Sequence, residues 1–270
     1  MLVPFDKMEG AGNDFVLIDN RDGKVADGLK RRLVLDYCRR GFGIGADGMI
    51  FLEKDRELDF AWDFYNSDGS RAEMCGNGAR CAARFAIRIG AAAGPKIAFR
   101  TLAGVIRAEF TPLGVKVGLA DAALPEKAED LETAAGKVEL WSLNTGVPHA
   151  VVLADDLEAV DVRRLGGEIR RHPRFAPAGT NVNFISVRGG GRLGIRTYER
   201  GVEDETLACG TGCVASSLAA GRFLGLSSPV ALETRGGGEL TVHFALAEGK
   251  AANVFLEGGA RRVFSGAVEI

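Results

Sequence analysis

The 270-residue chain contains few aromatic residues and little net charge. Aromatic residues make up 7% of the chain, and 34 basic side chains nearly balance 36 acidic ones, which leaves a net charge of −2. Balanced charge gives no electrostatic reason to expect nucleic acid or an anionic membrane as a partner. No apolar run reaches the roughly 18 residues of a membrane span. Residues 1–7 lack a basic segment followed by an apolar one, so we expect no signal peptide.

Cysteine and histidine are also scarce. Five cysteines are an odd number, which argues against a secreted disulfide scaffold and favours the reducing cytoplasm. A zinc site could draw on Cys209 and Cys213 with His149 or His172, but no CxxC pair accompanies them and the chain has only three histidines. We therefore expect no metal site.

One short motif occurs twice. Cys-Gly-x-Gly stands at residues 75–78 and again at 209–212, an offset of 134 that is about half of the chain. Each copy precedes a pattern typical of a buried helix, and no charged residue occurs between 206 and 221. The repeat predicts an internal duplication with one cysteine at a helix start in each half. Unpaired backbone N–H groups at a helix start are expected to lower a thiol's pKa from about 8.5.

Two such thiols suit a reaction that needs a base on one face of a carbon and an acid on the other. Removing an α-hydrogen from an amino acid and returning one to the opposite face is such a reaction, and Cys75 and Cys209 could exchange roles in the reverse direction. Backbone N–H groups at the helix starts could stabilise the developing negative charge. The residues that carry these groups are Gly76, Asn77, Gly210 and Thr211. A disulfide switch between the cysteines is the redox alternative.

The remaining pattern predicts an α+β fold. Many short strands and one long apolar helix per half indicate two pseudo-symmetric lobes, each with a curved, mostly antiparallel sheet around that helix. We place the N-terminal lobe at 1–120, a connector at 121–137 and the C-terminal lobe at 138–270, with chain ends free to cross between lobes. Asp27 is expected to cap a helix through Arg40, and Asp161 one to about Arg171.

Seven motifs, specific together but not singly, extend over essentially the whole chain: residues 12–15, 43–48, 66–70, 74–78, 146–149, 179–181 and 198–212. In these motifs the chain resembles the diaminopimelate epimerase family, cofactor-independent two-thiol enzymes of lysine and peptidoglycan precursor synthesis. The resemblance implies that Cys75 and Cys209 are the acid/base pair and that Glu199 lies near the substrate ammonium. It also implies that His149 and Glu199 tune the thiols. The side chains implied to hold the substrate's polar groups are Asn13, Asn66, Asn181, Glu199 and Arg200.

Each implied role has a simpler alternative. Asparagines such as Asn13 and Asn66 also form turns, and His149 could be a buried structural imidazole. Two positions depart from the family pattern, because Gly48 stands where some members carry glutamine and Val147 where many carry asparagine. Neither side chain can form a hydrogen bond, which leaves recognition of the distal end of the substrate less defined than the proton chemistry.

The expected function is the interconversion of LL- and meso-2,6-diaminopimelate by thiol/thiolate proton transfer. The expected partner is this small molecule, and the chain could form a homodimer. The alternatives are a two-cysteine racemase for another amino acid, of the proline, hydroxyproline or histidine type, and a non-catalytic thiol switch. Two thiols that flank one carbon should also form a disulfide on oxidation, with reversible loss of activity.

Overall fold

The structure is a computed structural model that describes residues 1–125, 128–134 and 136–270. Three positions of the predicted connector, Glu126, Lys127 and Ala135, lie outside the described residues. The chain divides into two compact units. Residues 1–117 and 258–270 form unit 1, and residues 118–257 form unit 2. The proposed boundaries at 120 and 138 stay a prediction.

Among its described residues, the first half of the chain contains nine strands and two helices: β1 (Leu2–Gly10), β2 (Asn13–Asp19), α1 (Asp27–Tyr37), β3 (Gly48–Glu53), β4 (Phe60–Asn66), α2 (Gly76–Arg88), β5 (Lys96–Thr101), β6 (Gly104–Thr111), β7 (Gly114–Gly118), β8 (Ala122–Ala123) and β9 (Glu129–Thr133). The remainder contains β10 (Gly136–Asn144), β11 (Pro148–Leu153), α3 (Val162–Arg170), a 3-10 turn (Pro173–Phe175), β12 (Asn181–Arg188), β13 (Arg192–Glu199), β14 (Asp204–Thr206), α4 (Gly210–Phe223), β15 (Val230–Thr234), β16 (Glu239–Ala247), β17 (Lys250–Gly258) and β18 (Arg261–Glu269).

The two units repeat one order of elements. In unit 1, β1 pairs antiparallel with β2, β2 parallel with β3, β3 antiparallel with β4, and β4 parallel with β5. In unit 2 the same four orientations recur for β10 with β11, β11 with β12, β12 with β13, and β13 with β15. A helix follows the second and fourth strand in each case, with the short β14 inserted between β13 and α4 in unit 2. The predicted α+β class is confirmed, and the topology supports the duplication that the Cys-Gly-x-Gly repeat predicted.

Equivalent turns carry equivalent glycines. Gly12 and Gly146, and likewise Gly45 and Gly179, are related by the offset of 134, and all four have positive φ angles. A residue with a side chain is strained in this region of φ, which explains glycine at both copies. These scattered identities therefore mark real correspondences between the units.

One central helix lies against the sheet in each unit. In unit 1, α2 packs against β1, β2, β3 and β6, and in unit 2, α4 packs against β10, β11, β12 and β16. Small residues dominate both helices, so the backbone can approach the strands closely. From Gly212 to Ala220 every residue of α4 is buried, which explains why this segment contains no charge.

One capping prediction is confirmed and one is wrong. Asp161 caps α3, since its side chain accepts the N–H of Arg164 at 3.1 Å. Asp27 is not a cap, because the extended residue before α1 is Ala26. The Asp27 carboxylate instead pairs with Lys30, 2.7 Å away. The helix also ends at Tyr37, three residues before the predicted Arg40.

β18 returns to unit 1, where it pairs antiparallel with β1 from Leu2–Glu269 to Glu9–Arg261. The hydroxyl of Tyr37 donates to the carbonyl of Glu269 at 2.8 Å. Within the described part of the chain, no helix is long and apolar enough to cross a membrane.

Candidate active site

Cys75 occupies the N-cap position of α2, with extended backbone angles of −148° and 121°. Its half-buried Sγ accepts the backbone N–H of Gly78 at 3.5 Å and lies 3.6 Å from Oδ1 of Asn13. The N–H of Gly78 would stabilise a thiolate at this position, whereas the Asn13 oxygen accepts from the protonated thiol.

Two hydrogen-bonded side-chain amides lie next to this thiol. Oδ1 of Asn13 also accepts from Nδ2 of Asn77 at 3.3 Å, while Nδ2 of Asn13 donates to the carboxylate of Asp47 at 2.6 Å. Because a carboxylate only accepts, this contact fixes the Asn13 amide with its oxygen toward Cys75 and Asn77. Three predicted site residues, Asn13, Cys75 and Asn77, thus meet in unit 1.

Arg80 forms hydrogen bonds with Asn77 and with the backbone next to it. Arg80 was not identified as a site residue from the sequence. It is fully buried, and its guanidinium donates to Oδ1 of Asn77 at 2.8 Å. It also donates to the carbonyls of Gly76 and Gly259, both at 3.3 Å. The sequence shows Arg80, Arg84 and Arg88 as one basic face, and only the structure distinguishes the buried member.

Charged residues hold Asp47 in place. Arg40 donates to Asp47 at 2.8 Å and to Asp14 at 2.6 Å, and Lys7 lies 2.7 Å from Asp14. Burial alone would raise the pKa of Asp14, but hydrogen bonds from Arg40 and Lys7 lower it to about 2. Asp14 is therefore ionised at neutral pH, and it holds the Arg40 guanidinium beside Asp47.

Asn66 lies at the exposed end of β4, where it pairs with Gly48. Its Nδ2 donates to Oγ of Ser70 at 3.0 Å, so the side chain contributes to the turn. A Cβ at residue 48 would lie 2.6 Å from the carbonyl oxygen of Tyr65 and 2.7 Å from the ring of Phe64. The local packing therefore requires glycine at this position and excludes a glutamine side chain.

Cys209 occupies the corresponding N-cap position of α4 in unit 2. It is buried, and its Sγ lies 3.5 Å from the hydroxyl of Thr211. Burial and the nearby Glu199 carboxylate raise the pKa of Cys209 well above its usual range. The expected lowering of the pKa at a helix start is therefore wrong for Cys209, because desolvation outweighs the N–H groups. Gly210 and Thr211 follow directly, and the Thr211 carbonyl accepts from the Thr145 hydroxyl at 3.2 Å.

His149 lies on β11 and is 1% exposed. Burial, with a contribution from the charge on Arg200, lowers the pKa of His149 to about 3, so the imidazole is neutral. Its Nδ1 lies 3.1 Å from Nδ2 of Asn183. Asn183 also packs against the first turn of α4, because a Cβ added at Gly212 would lie 2.2 Å from its Oδ1.

Asn181 and Arg200 meet across neighbouring strands. Oδ1 of Asn181 accepts the backbone N–H of Arg200 at 2.8 Å, and Nδ2 of Asn181 donates to the carbonyl of Pro148 at 3.2 Å. The guanidinium of Arg200 donates to the carbonyl of Ala178 at 3.4 Å. Val147, which precedes Pro148, is half-buried. Through Asn181, the backbone of Arg200 is therefore connected by hydrogen bonds to β11, the strand that carries His149.

Hydrogen bonds join Asn13, Cys75 and Asn77 in unit 1, and Asn181 and Arg200 in unit 2. The Asn66 side chain bonds to Ser70 instead. Unit 1 contains Asn13, Asn66, Cys75, Gly76 and Asn77, and unit 2 contains His149, Asn181, Glu199, Arg200, Cys209, Gly210 and Thr211. None of the five cysteines forms a disulfide in the part of the chain that the structure describes. Their assignment as catalytic and binding residues stays a prediction. Three supporting residues, Asp47, Arg80 and Asn183, were not predicted, because most of their partners are distant in sequence.

Known proteins resemble the chain over nearly its full length. The family model described as Diaminopimelate epimerase matches residues 5–124 and 141–263. A diaminopimelate epimerase from Aquifex aeolicus is 46% identical over 273 residues, covering 97% of this chain and 96% of the relative. One from Archaeoglobus fulgidus is 41% identical, covering 100% of this chain and 98% of the relative.

Solved structures share the fold at lower identity. A hydroxyproline epimerase from Agrobacterium vitis matches with a TM-score of 0.71 at 18% identity, covering 99% of this chain and 92% of the other. A PhzF-family phenazine biosynthesis protein from Bacillus anthracis matches with a TM-score of 0.75 at 12% identity, covering both chains completely. These two likenesses concern the fold alone. The family match and the identity to full-length relatives place this chain in the diaminopimelate epimerase family.

Proposed function

We propose that this protein is an isomerase that interconverts LL- and meso-2,6-diaminopimelate by inverting one α-carbon, in the biosynthesis of lysine and peptidoglycan precursors. The observation that carries the proposal is the duplicated helix start, which gives each unit one cysteine at an N-cap position. Two thiols on opposite faces of one carbon meet the needs of inversion.

Cys75 and Cys209 act as the base and the acid. Because the pKa of Cys209 is raised, we assign Cys209 as the acid that starts protonated and Cys75 as the base in the direction from LL to meso. Cys75 removes the α-proton from one face, and Cys209 delivers its own proton to the other. The products are the inverted amino acid, a protonated Cys75 and an ionised Cys209, and the reverse reaction exchanges the roles.

The α-proton is weakly acidic, so the carbanion needs stabilisation. Backbone N–H groups of Gly76, Asn77, Gly210 and Thr211 lie in the first helical turns and donate to the α-carboxylate as it gains charge. Arg200 binds a carboxylate, and Asn13, Asn66 and Asn181 bind polar groups without adding charge. Glu199 lies near the substrate ammonium, and with His149 it tunes the thiols.

A direct assay tests this proposal. LL-diaminopimelate is incubated with purified protein, and the stereoisomers are separated and quantified. Cys75→Ala and Cys209→Ala should each lower kcat by on the order of a thousandfold or more. Cys81→Ala and Cys213→Ala are matched controls, since both thiols are buried within the same helices. Near-wild-type turnover in either N-cap variant, or turnover of proline or hydroxyproline instead, would refute the proposal.

We further propose that the protein acts in the cytoplasm, where its five cysteines stay reduced. Cell fractionation tests the location.

Oxidation of the purified protein should abolish activity, and a thiol reductant should restore it. Full activity in oxidised protein that contains a Cys75–Cys209 disulfide would contradict the acid/base assignment.

A homodimer is the proposed assembly. Among the exposed apolar side chains that this contact would cover are Leu2, Val263 and Phe264 on the paired strands β1 and β18, which are 69%, 50% and 46% exposed. Sedimentation velocity should give a dimer mass, and Val263→Glu should shift it toward the monomer. A monomer at micromolar concentration in the unmodified protein would refute this assembly.

A further inference from the structure

The face of the sheet beneath α4 carries three buried polar side chains in contact with one another. His149 lies on β11, Asn183 on β12 and Thr197 on β13. Val151 pairs with Asn183 and Asn183 pairs with Thr197, so the period of two places all three side chains on the same face. Asn183 is fully buried between the other two.

The orientation of the Asn183 amide follows from its neighbours. Nδ2 lies 3.2 Å from the carbonyl oxygen of Ala150, which can only accept, so this atom is the amide nitrogen. Oδ1 accepts the hydroxyl of Thr197 at 3.0 Å. If the amide were reversed, its oxygen would face the carbonyl oxygen of Ala150, and the hydroxyl of Thr197 would lose its acceptor.

The orientation of the Asn183 amide determines the tautomer of the His149 imidazole. The second hydrogen on Nδ2 of Asn183 points to Nδ1 of His149, 3.1 Å away, and Nδ1 must therefore accept. A neutral imidazole that accepts at Nδ1 carries its proton on Nε2. Nε2 is buried and has no hydrogen-bond partner among the residues that the structure describes. Nε2 is therefore a buried N–H donor that these residues leave without an acceptor.

Packing against α4 supports the same arrangement. Oδ1 of Asn183 occupies the space that a Cβ on Gly212 would need. The second glycine of the Cys-Gly-x-Gly motif in unit 2 thus admits the amide that orients His149. In unit 1 a Cβ on the equivalent Gly78 would meet Ile50 and Phe15, which are apolar.

We propose that Asn183, held by Thr197 and Ala150, is a positioning residue that locks His149 as the neutral Nε2–H tautomer. His149 is then a permanent hydrogen-bond donor to an anionic acceptor in the active site and does not itself exchange a proton. The tautomer follows from unit 2 alone, whereas its effect on turnover rests on the proposed function. An NMR result that contradicts the tautomer can therefore be distinguished from an activity assay that contradicts the proposed function.

Nitrogen NMR on the unmodified protein is the first test. Long-range ¹H–¹⁵N correlation spectra distinguish the two neutral tautomers and the imidazolium, and His149→Gln identifies the signal among three histidines. The Nε2–H pattern should persist from about pH 6 to about pH 9. An Nδ1–H pattern, a mixture of tautomers or an imidazolium would overturn the proposal.

Variants then connect the tautomer to the reaction. Asn183→Asp places a carboxylate beside Nδ1, which should move the proton to Nδ1 and lower kcat by about a hundredfold, as expected when a preorganised donor is lost. Ser186→Ala, a buried change on the same strand, should alter neither the spectrum nor kcat. A changed tautomer with unchanged kcat would refute the functional role.

Substitution of the imidazole itself separates donation from proton exchange. His149→Gln retains an N–H donor near the position of Nε2, whereas His149→Phe retains the ring volume without a donor. The glutamine variant should keep at least about ten times the kcat of the phenylalanine variant. Equal losses in two folded variants would show that His149 does not act as a neutral donor.

Discussion

Cys75 and Cys209 begin equivalent helices 134 positions apart, yet their surroundings differ. Cys75 is half-buried beside Asn13, and its neighbour Gly78 faces the apolar side chains of Ile50 and Phe15. Cys209 is buried, and its neighbour Gly212 faces the amide of Asn183. The duplicated motif thus repeats the backbone, whereas the polar support comes from the helix and loops in unit 1 and from the sheet in unit 2.

The residues related by the offset show how this difference arises. Arg80 on α2 corresponds to Val214 on α4, and Phe15 on β2 corresponds to His149 on β11. Each unit therefore has one buried polar support at a position where the other unit has an apolar side chain. Equivalent helix starts thus lie in different environments, and in the proposed mechanism the two thiols also begin in different roles, one as the base and one as the acid.

Alkylation should reveal the largest difference between the two thiols. At about pH 8, iodoacetamide should label Cys75 at least about a hundredfold faster than Cys209, since burial leaves Cys209 with far less of the reactive thiolate. Peptide mass spectrometry over time measures both rates. Burial raises the pKa of Cys81 to about 12, so this residue should stay unlabelled while the protein is folded. Equal rates at the two helix starts would contradict the comparison.

Removing the buried guanidinium tests the support in unit 1. Arg80→Met leaves the acceptors on Asn77, Gly76 and Gly259 without this donor, and should lower the free energy of unfolding by about 3 kcal/mol. Urea unfolding measures the change. Arg84→Met, an exposed position on the same helix, should cost less than about 0.5 kcal/mol. Similar values for the two variants would show that burial of Arg80 does not support the site.

The carboxylate that orients Asn13 should affect activity more than stability. Asp47→Ala frees the Asn13 amide to rotate away from Cys75, and should lower kcat/KM by about tenfold. Steady-state kinetics on LL-diaminopimelate measures this effect. Asp36→Ala, which removes an exposed partner of Arg32 in the same unit, should change kcat/KM less than about twofold. Unchanged kinetics in Asp47→Ala would mean that Asn13 needs no such support.

The smallest expected effect concerns how acid pH changes the free energy of unfolding. The pKa of Asp14 is lowered from 3.8 to about 2, so its ionised form stabilises the folded state above pH 3.8, and this contribution is lost as the pH falls through 2. Asp14→Asn should therefore be less stable than the unmodified protein at neutral pH, with the gap narrowing below pH 3.8. Urea unfolding at about pH 7, 4 and 3 measures the gap. A gap that is constant or widens toward acid would contradict this sign.

Much of the local structure was predictable from the sequence, and most long-range contacts were not. The motif Cys-Gly-x-Gly predicted both helix starts, because its glycines and the uncharged run that follows are local signals. The return of β18 to β1 depends on pairing between opposite ends of the chain, such as Leu2 with Glu269. Buried Arg80 looked like one of three basic residues on a helix face, and Asn183 looked like an ordinary strand residue. Their roles depend on partners that folding brings together.

Isotope exchange tests the two-thiol mechanism most directly. LL-diaminopimelate is incubated in D₂O until only a small fraction has reacted, and mass spectrometry follows deuterium in the remaining substrate and in the meso product. Because the acid on the receiving face carries a solvent deuteron, the product should contain one deuterium at the inverted carbon while the substrate stays unlabelled. A product that retains the substrate's own hydrogen would show that a single group serves both faces.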